Sequence, residues 1–396
     1  MRAAVAAIAL VGACKGKPVR EDAAVAVVRA QPRDGGVADA SPNKDKWPEL
    51  AALPKIEPVR VVSLAINKDA APGESVGPVV AGGLAVVASP QLGFVAVDYH
   101  RGQVAWQKPA GGRTAPPLAR PGGFALLGDC VGDVGVPAGE RRVGCLRAVT
   151  QAGGDDGYVA VHGKQLDAFA RATGPETTWS LGEHAIAWRR GDQALSIEPV
   201  TGAATPIAAA NPPIVVRYRD RTWEVTRDAA GVITGREHSG TSWHTRRGYS
   251  ELLGAIYLPE QGPMIRAANL HHFGPTPELN LFDIDATGSM HGQVSFPVPG
   301  VALFGHAIDA VGDTALALRL DTSLDRDYIV GFAANALIMY VYPLPIAQRQ
   351  EPIGLAVAGD AVVAFHDGDT LTILPELSAP PTAPGAARAP SENPTP

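Results

Sequence analysis

The chain has 396 residues, a formal net charge of −6, 46% hydrophobic residues and only 6% aromatic residues. This length and hydrophobic content are sufficient for one sizeable folded body. The mildly acidic balance and the lack of a Lys/Arg cluster argue against a nucleic-acid partner and against a polybasic membrane patch.

The first 14 residues are similar to a bacterial lipoprotein signal. Arg2 supplies a positive start, residues 3–11 are apolar but too few to span a bilayer, and the sequence VGAC ending at Cys14 resembles a lipobox. This predicts cleavage before Cys14 and lipidation of its thiol. The alternative is an Ala-rich start on a cytosolic protein. Lys15, where some retained lipoproteins carry Asp, favours the outer membrane.

The two ends of the chain differ in composition from the middle. Residues 15–57 mix Ala, Asp, Lys and Pro without periodicity, which predicts a flexible tether. Residues 378–396 are rich in Pro and Ala, which predicts a disordered or extended tail. The folded body is therefore expected to span residues 58–377. Its first strand, Val59–Ile66, is expected to pair with the last strand near Leu371–Leu374 and to close a ring.

Residues 76–106 contain three apolar runs separated by glycine turns, a pattern typical of a β-meander. Within them Ala96, Asp98, Gly102 and Trp106 match the spacing A-x-D-x-x-x-G-x-x-x-W. This spacing resembles the tryptophan-docking motif of PQQ-like (quinoprotein-type) β-propeller repeats. The resemblance implies that the tryptophan packs between two blades, with its indole N–H on a backbone acceptor, and that the glycine supplies the turn.

Weaker copies of the pattern follow along the chain. Residues 117–128 repeat the start of the blade, and Gly174 followed by Trp179 repeats the glycine turn and its tryptophan. Fainter strand signatures lie at 186–202, 279–288, 312–320 and 353–374. A blade takes roughly 40–50 residues, so the body has room for about seven four-stranded blades, with six to eight possible. The predicted fold class is an all-β propeller.

Cys130 and Cys145 lie 15 residues apart in a segment rich in Gly and charged residues. Two strands that flank a long hairpin loop would bring them together. An exported compartment permits a disulfide, and the alternative is two separately buried free thiols. No further Cys or His stands at the spacing of a zinc site.

Other polar groups have a structural and a functional interpretation. His271 and His272 are adjacent, so on a strand they point to opposite faces and cannot easily share a metal. The Asp-Gly-Asp triplet at 367–369 predicts a tight hairpin turn. One acidic loop offers oxygen ligands for a hard cation or, alternatively, forms a solvated turn. Its carboxylates are Asp321, Asp325 and Asp327.

The segment 217–249 is the most polar and aromatic part of the predicted body. It contains Tyr218, Trp223, Trp243 and Tyr249 among several arginines. Arginine and aromatic residues are enriched where proteins bind proteins, which favours a partner surface. The alternative is an ordinary blade with alternating strands.

These observations predict a function without catalysis. Quinone-dependent members of the resembled family carry adjacent cysteines and a calcium-and-base set, and neither is found here, so we assign no catalytic, cofactor or metal residues. The leading hypothesis is a non-enzymatic, lipid-anchored cell-envelope propeller that binds an unidentified envelope protein, on or facing the outer membrane. The nearest functional parallel is the BamB-type lipoprotein of outer-membrane assembly, an analogy at the level of architecture. The alternative is a ligand-binding or quinone-dependent propeller with a site at its central channel.

Overall fold

The computed structural model describes residues 55–64, 76–164, 166, 177–181, 185–190, 193–207, 214–218, 221–228, 230–249, 251–258, 262–271, 278–297, 302–309, 312–319, 327–333, 338–344 and 353–377. Within these residues the regular elements are 28 β-strands. No helix in this part of the chain has the length and apolar character needed to cross a membrane.

The strands form seven antiparallel four-stranded sheets, or blades. From the first strand of each blade to the fourth, they are β2 (Val76–Ala81), β3 (Leu84–Ser89), β4 (Gly93–Asp98) and β5 (Gln103–Lys108); β6 (Leu118–Arg120), β7 (Gly123–Gly128), β8 (Arg141–Thr150) and β9 (Asp155–Gly163); β10 (Thr177–Leu181), β11 (Ile186–Arg190), β12 (Gln193–Ile197) and β13 (Ala204–Ile207); β14 (Ile214–Tyr218), β15 (Arg221–Arg227), β16 (Val232–Glu237) and β17 (Ser242–Gly248); β18 (Glu251–Leu258), β19 (Gly262–His271), β20 (Glu278–Asp285) and β21 (Met290–Pro297); β22 (Ala302–Ile308), β23 (Thr314–Arg319), β24 (Asp327–Phe332) and β25 (Ile338–Pro343); β26 (Gly354–Ala358), β27 (Ala361–His366), β28 (Thr370–Pro375) and β1 (Arg60–Ser63).

This arrangement confirms the predicted all-β propeller and fixes the number of blades at seven. Apart from β10 and β14, the first strands of neighbouring blades pack against one another, as β2 packs against both β6 and β26, and they form the inner ring. Where a blade in the ring is covered on both faces, its middle strands can be apolar throughout. Strands β3 and β7 are buried along their whole length.

Strand β1 closes the ring, as the sequence predicts. It is the fourth strand of the seventh blade and pairs antiparallel with β28, with Arg60 opposite Ile373 and Ser63 opposite Thr370. The last blade is thus built from both ends of the folded body. This pairing leaves no gap where the chain begins and ends its circuit.

The inner strands of the first and last blades pack backbone to backbone. A Cβ atom added to Gly354 on β26 would lie 1.3 Å from the carbonyl oxygen of Gly77 on β2. No flexible side chain can move aside there, because the obstacle is backbone. Only glycine therefore fits this point of ring closure.

We expect Gly354→Ala to lower the free energy of unfolding by about 1–3 kcal/mol, since the added methyl group must push two inner strands apart. Gly359→Ala is the matched control, because a Cβ atom there meets nothing within 4 Å; its effect should stay within about 0.5 kcal/mol. Urea denaturation of both variants measures the difference. Equal effects of the two substitutions would contradict the close approach.

Side chains at the turns also hold the first and seventh blades together. The Tyr99 hydroxyl donates to Asp360 Oδ1 over 3.0 Å, and His100 Nε2 lies 3.4 Å from Asp360 Oδ2. Arg60 Nη1 donates to the Arg101 carbonyl oxygen over 2.7 Å. Burial, followed by the hydrogen bond to Asp360 and its negative charge, raises the pKa of Tyr99 to about 12.

The Tyr99 contact predicts a loss of stability at alkaline pH. Because its folded pKa is raised, the neutral phenol stabilises the fold fully below its usual pKa of 10.0, and this contribution disappears as pH rises towards about 12. Urea unfolding at a series of pH values should show this decline, and Tyr99→Phe should make it shallower. Identical pH profiles of wild type and variant would contradict the assignment.

The motif residues form a contact between the first and second blades. On adjacent strands, Ala96 lies opposite Trp106, so the small side chain leaves room for the indole. The Trp106 Nε1–H donates to the Gln151 carbonyl oxygen of the next blade over 3.0 Å. A Cβ atom on Gly153 would lie 2.8 Å from Trp106 Cγ, so the ring packs directly on that turn.

The remaining two motif residues shape the turn between β4 and β5. The Asp98 Oδ1 atom accepts the backbone N–H groups of His100 and Arg101 at 3.0 and 2.9 Å. Gly102 follows with φ of 70°, a conformation that side chains resist. All four motif residues are therefore structural in this fold.

A second tryptophan occupies the corresponding position in the fourth blade. Trp243 on β17 lies opposite Gly235 on β16 and packs against Gly288, in the turn after the third strand of the next blade. Its spacing, G-x-E-x-x-G-x-x-W, is the motif shortened by two residues, one before the second glycine and one after it. The shorter spacing hides this repeat in the sequence.

Trp179 does not have the strand position that its sequence pattern predicts. It lies on β10, the first and innermost strand of the third blade, whereas Trp106 lies on a fourth strand. The fourth strand of the second blade is β9, which ends at Gly163, before the predicted turn. Gly174 lies outside the described residues.

Candidate interaction surfaces

A disulfide joins Cys130 and Cys145, as predicted. The S–S distance is 2.02 Å and the Cα atoms are 4.9 Å apart. Cys145 is buried within β8, and Cys130 opens the loop 129–140 that connects β7 with β8. The bond therefore attaches the start of an exposed loop to the sheet. We call residues 129–140 the stapled loop.

The beginning of the stapled loop has two further attachments. Asp129 accepts from Arg113 through both carboxylate oxygens, with Nε–Oδ2 and Nη2–Oδ1 distances of 2.9 Å. The Tyr158 hydroxyl accepts the Val131 backbone N–H at 2.8 Å and donates to the Val131 carbonyl at 3.2 Å. A bidentate Arg–carboxylate pair fixes orientation as well as distance.

The end of the stapled loop is attached to two blades. Glu140 Oε2 lies 2.5 Å from His162 Nδ1, and His162 Nε2 lies 3.1 Å from the Thr201 carbonyl oxygen of the third blade. Further inside the loop, Arg142 Nη1 donates to the Val134 carbonyl oxygen over 3.3 Å. The loop is thus held at both ends although it has no strand or helix of its own.

The middle of the stapled loop lies at the surface. Val131 is 40% exposed, and Asp133, Gly135 and Pro137 are also exposed, while Val134 between them is half-buried. Nothing lies within 4 Å of a Cβ atom built on Gly135, and its φ is not in the left-handed region. This part of the loop is accessible to another molecule.

The arginine-rich aromatic segment 217–249 forms the fourth blade, and its strands separate two kinds of side chain. Trp223 and Tyr249 are 4% and 8% exposed and belong to the apolar core shared with the fifth blade. Trp223 and Tyr249 therefore do not form a partner surface, because alternation turns them inward. Trp243 is half-buried, and the side chain of Tyr218 lies outside the described residues. The segment forms a blade whose strands turn alternate side chains to opposite faces, as the alternative interpretation predicted.

The opposite face of the same strands is polar. Its residues point toward the third blade, and each is exposed or half-buried. They are Thr222, Glu224, Thr226, Thr234, Arg236, Ser242, His244 and Arg246. We call this set the polar face of the fourth blade.

The other predicted site residues either lie outside the described part of the chain or are not grouped into a site. Cys14, His272, Asp321 and Asp325 lie outside the described residues, and His271 ends β19. Asp327 begins β24, and residues 367–369 form the predicted tight turn between β27 and β28. In the described part of the chain, no group of three or more His, Cys, Asp or Glu residues is placed to hold a metal ion.

No protein-family model matches the chain, and no curated protein matches it in sequence. Three solved structures illustrate its structural likenesses. The C-terminal WD40 domain of Sif2 has 9% identity and a TM-score of 0.48, with 82% of this chain and 99% of that chain covered. The computationally designed protein Ika8 has 9% identity, a TM-score of 0.42 and coverages of 79% and 98%. BamB from Moraxella catarrhalis has 12% identity, a TM-score of 0.36 and coverages of 74% and 81%. At these identities and scores the likenesses are no evidence for a shared function.

Proposed function

We propose that this propeller is a non-enzymatic scaffold that binds a protein partner through the stapled loop. The observation that supports this is the attachment of an exposed loop at both ends. A disulfide, a bidentate ion pair and two hydrogen bonds of one tyrosine hold its start, and the Glu140–His162 contact holds its end. A loop that is ordered before it meets its partner loses less conformational entropy on binding. An exposed loop that is already ordered is therefore suited to docking a partner.

The chemistry of the loop suits a protein surface. Val131 offers exposed apolar area, and Gly135 lets another backbone approach closely because it has no side chain. Asp133 is the one ionisable residue between Val131 and Gly139. A partner can therefore cover this stretch while leaving that single carboxylate at the edge in water.

We further propose that the scaffold is anchored in the cell envelope by lipid on Cys14. The supports are the lipobox-like sequence and the disulfide, which persists in an oxidising compartment. Metabolic labelling with a radioactive fatty acid should mark the wild-type chain in membranes, and Cys14→Ala should abolish the label. Labelling that survives this substitution would contradict the anchor.

Position-specific photo-crosslinking tests the loop. A photoreactive amino acid placed at Gly135 should give one dominant adduct in envelope preparations. The same group at Gly359 is the control, because that position also has open space but lies in a first turn, at the opposite end of the strands. Gly135→Arg should reduce co-purification of the crosslinked protein while Gly359→Arg leaves it unchanged.

Two outcomes would contradict the scaffold proposal. Equal adducts from both positions would mean that the loop has no special role, and no adduct from Gly135 would mean that it meets no partner. The alternative of a ligand site at the central channel has its own test. Calorimetry of the purified body with quinone or calcium should give no heat of binding.

A further inference from the structure

The ring has one interface that differs from the others in chemistry. Six apolar clusters fill the interfaces between blades 1 and 2, 2 and 3, 4 and 5, 5 and 6, 6 and 7, and 7 and 1. Among the residues that the structure describes, no such cluster fills the interface between blades 3 and 4. The polar face of the fourth blade occupies that position instead.

The third blade presents small and polar groups on its side of this interface. Ser196 and Ala187 are half-buried, Thr205 is exposed, and Ile207 on the outer strand is 44% exposed. The larger apolar residues of the same strands, Trp188 among them, face the second blade. Among the side chains that the structure describes, only Ala194 on this side of the third blade is buried, and no group of large apolar residues seals the two blades together.

The turns after the third strands provide an independent sign that this interface is open. A Cβ atom on Gly102, Gly153, Gly202 or Gly288 would lie 2.0–2.9 Å from an atom of the preceding blade. Gly240 has the equivalent place in the fourth blade, and nothing lies within 4 Å of its Cβ position. Within the described residues, which leave out 208–213 after the fourth strand of the third blade, nothing covers this turn.

Three charged side chains on the polar face have no partner in the part of the chain that the structure describes. Among the described residues Glu224, Arg236 and Arg246 make no hydrogen bond or ion pair through their side chains. The polar face carries two arginines, Arg236 and Arg246, against one carboxylate, Glu224, in a chain whose net charge is −6. A positive surface inside an acidic protein is complementary to a negatively charged ligand.

We propose that the opening between the third and fourth blades binds an extended acidic segment of a partner protein. Arginine guanidinium groups pair with carboxylates through two hydrogen bonds. The hydroxyls of Thr226 and Thr234, on neighbouring strands, can bond the backbone of a chain that lies along the sheet. This site is separate from the stapled loop, so an experiment that contradicts one proposal leaves the other intact.

Glu224 sets the specificity of the proposed site. It lies directly opposite Arg236, in the middle of the face. It would repel a carboxylate placed over the centre, and the ligand's acidic side chains should therefore lie towards Arg236 and Arg246. Glu224→Gln removes this repulsion and should tighten binding of an acidic peptide.

Calorimetry with a poly-L-glutamate peptide tests the charge complementarity. The double variant Arg236→Glu/Arg246→Glu should bind it about tenfold more weakly than wild type, because two charge-assisted hydrogen-bond donors are lost. Arg101→Glu is the control, since that side chain is 78% exposed in the first blade. The proposal is overturned if the peptide does not bind wild type, if both variants lose affinity equally, or if a single-stranded oligonucleotide binds more tightly than the peptide.

Thiol labelling tests the opening itself, without any ligand. In a Cys14→Ser background, Thr234→Cys on the polar face should react with a maleimide much faster than Thr245→Cys. Thr245 is 5% exposed and faces the fifth blade, only one strand away. Equal rates would show that the third blade covers the polar face and would overturn the proposal.

Discussion

Arg266→Met is expected to lower the free energy of unfolding by about 3–5 kcal/mol, because it leaves a carboxylate without its partner in a low-dielectric interior. The Arg266 side chain is fully buried, and its Nε and Nη2 atoms donate to both oxygens of Asp283 at 2.8 and 3.0 Å. Its Nη1 donates to the Gly312 carbonyl at 2.6 Å and to Thr314 Oγ1 at 3.1 Å. One guanidinium therefore connects the fifth blade to the sixth.

Urea denaturation measures this effect, and two comparisons make it specific. Arg101→Ala removes an exposed pair with Asp98 and should cost less than about 1 kcal/mol. The double variant Arg266→Met/Asp283→Leu removes both charges and should recover much of the loss. A single variant as stable as wild type would mean that the pair does not join the blades.

Most of the fold could be predicted because a propeller repeats one local pattern. Apolar runs with glycine turns, preceded by a strand at 59–66 without a partner of its own, were enough to predict blades and ring closure. Arg266 could not be assigned in this way. Its one visible signal is a single charge in the apolar run PMIRAANL, and its partners lie 17 and 46 residues further along the chain.

The candidate sites were only partly predictable. The segment 217–249 stood out by composition, but composition does not say which side chains share a face. Alternation along β15 separates Trp223 and Val225 from Thr222, Glu224 and Thr226, and this period-2 pattern was available in the sequence. What the sequence could not supply is the identity of the neighbouring blade that each face meets.

The attachments of the stapled loop show the same limit. The spacing of Cys130 and Cys145 pointed to a disulfide across a hairpin, and the structure has it. The contributions of Arg113, Tyr158 and His162 were not visible, because each comes from a different strand or connection. A loop position is predicted by local sequence, whereas its rigidity depends on distant residues.

The double variant Cys130→Ser/Cys145→Ser is expected to lower the free energy of unfolding by about 3 kcal/mol, since the bond closes a loop of this length in the unfolded chain. The fold should survive, because the Arg113–Asp129 pair and the Tyr158 hydrogen bonds still hold the loop at its start. Urea denaturation of the variant and of wild type treated with a dithiol should give the same midpoint.

The same variant separates stability from binding. If pre-organisation by the disulfide matters, hydrogen exchange at residues 131–139 should become faster in the variant, while exchange in the buried strand β3 changes little under native conditions. The adduct from a photoreactive group at Gly135 should weaken in parallel. Unchanged exchange in the loop would mean that its other attachments are sufficient, and the disulfide would then stabilise the chain without shaping the docking surface.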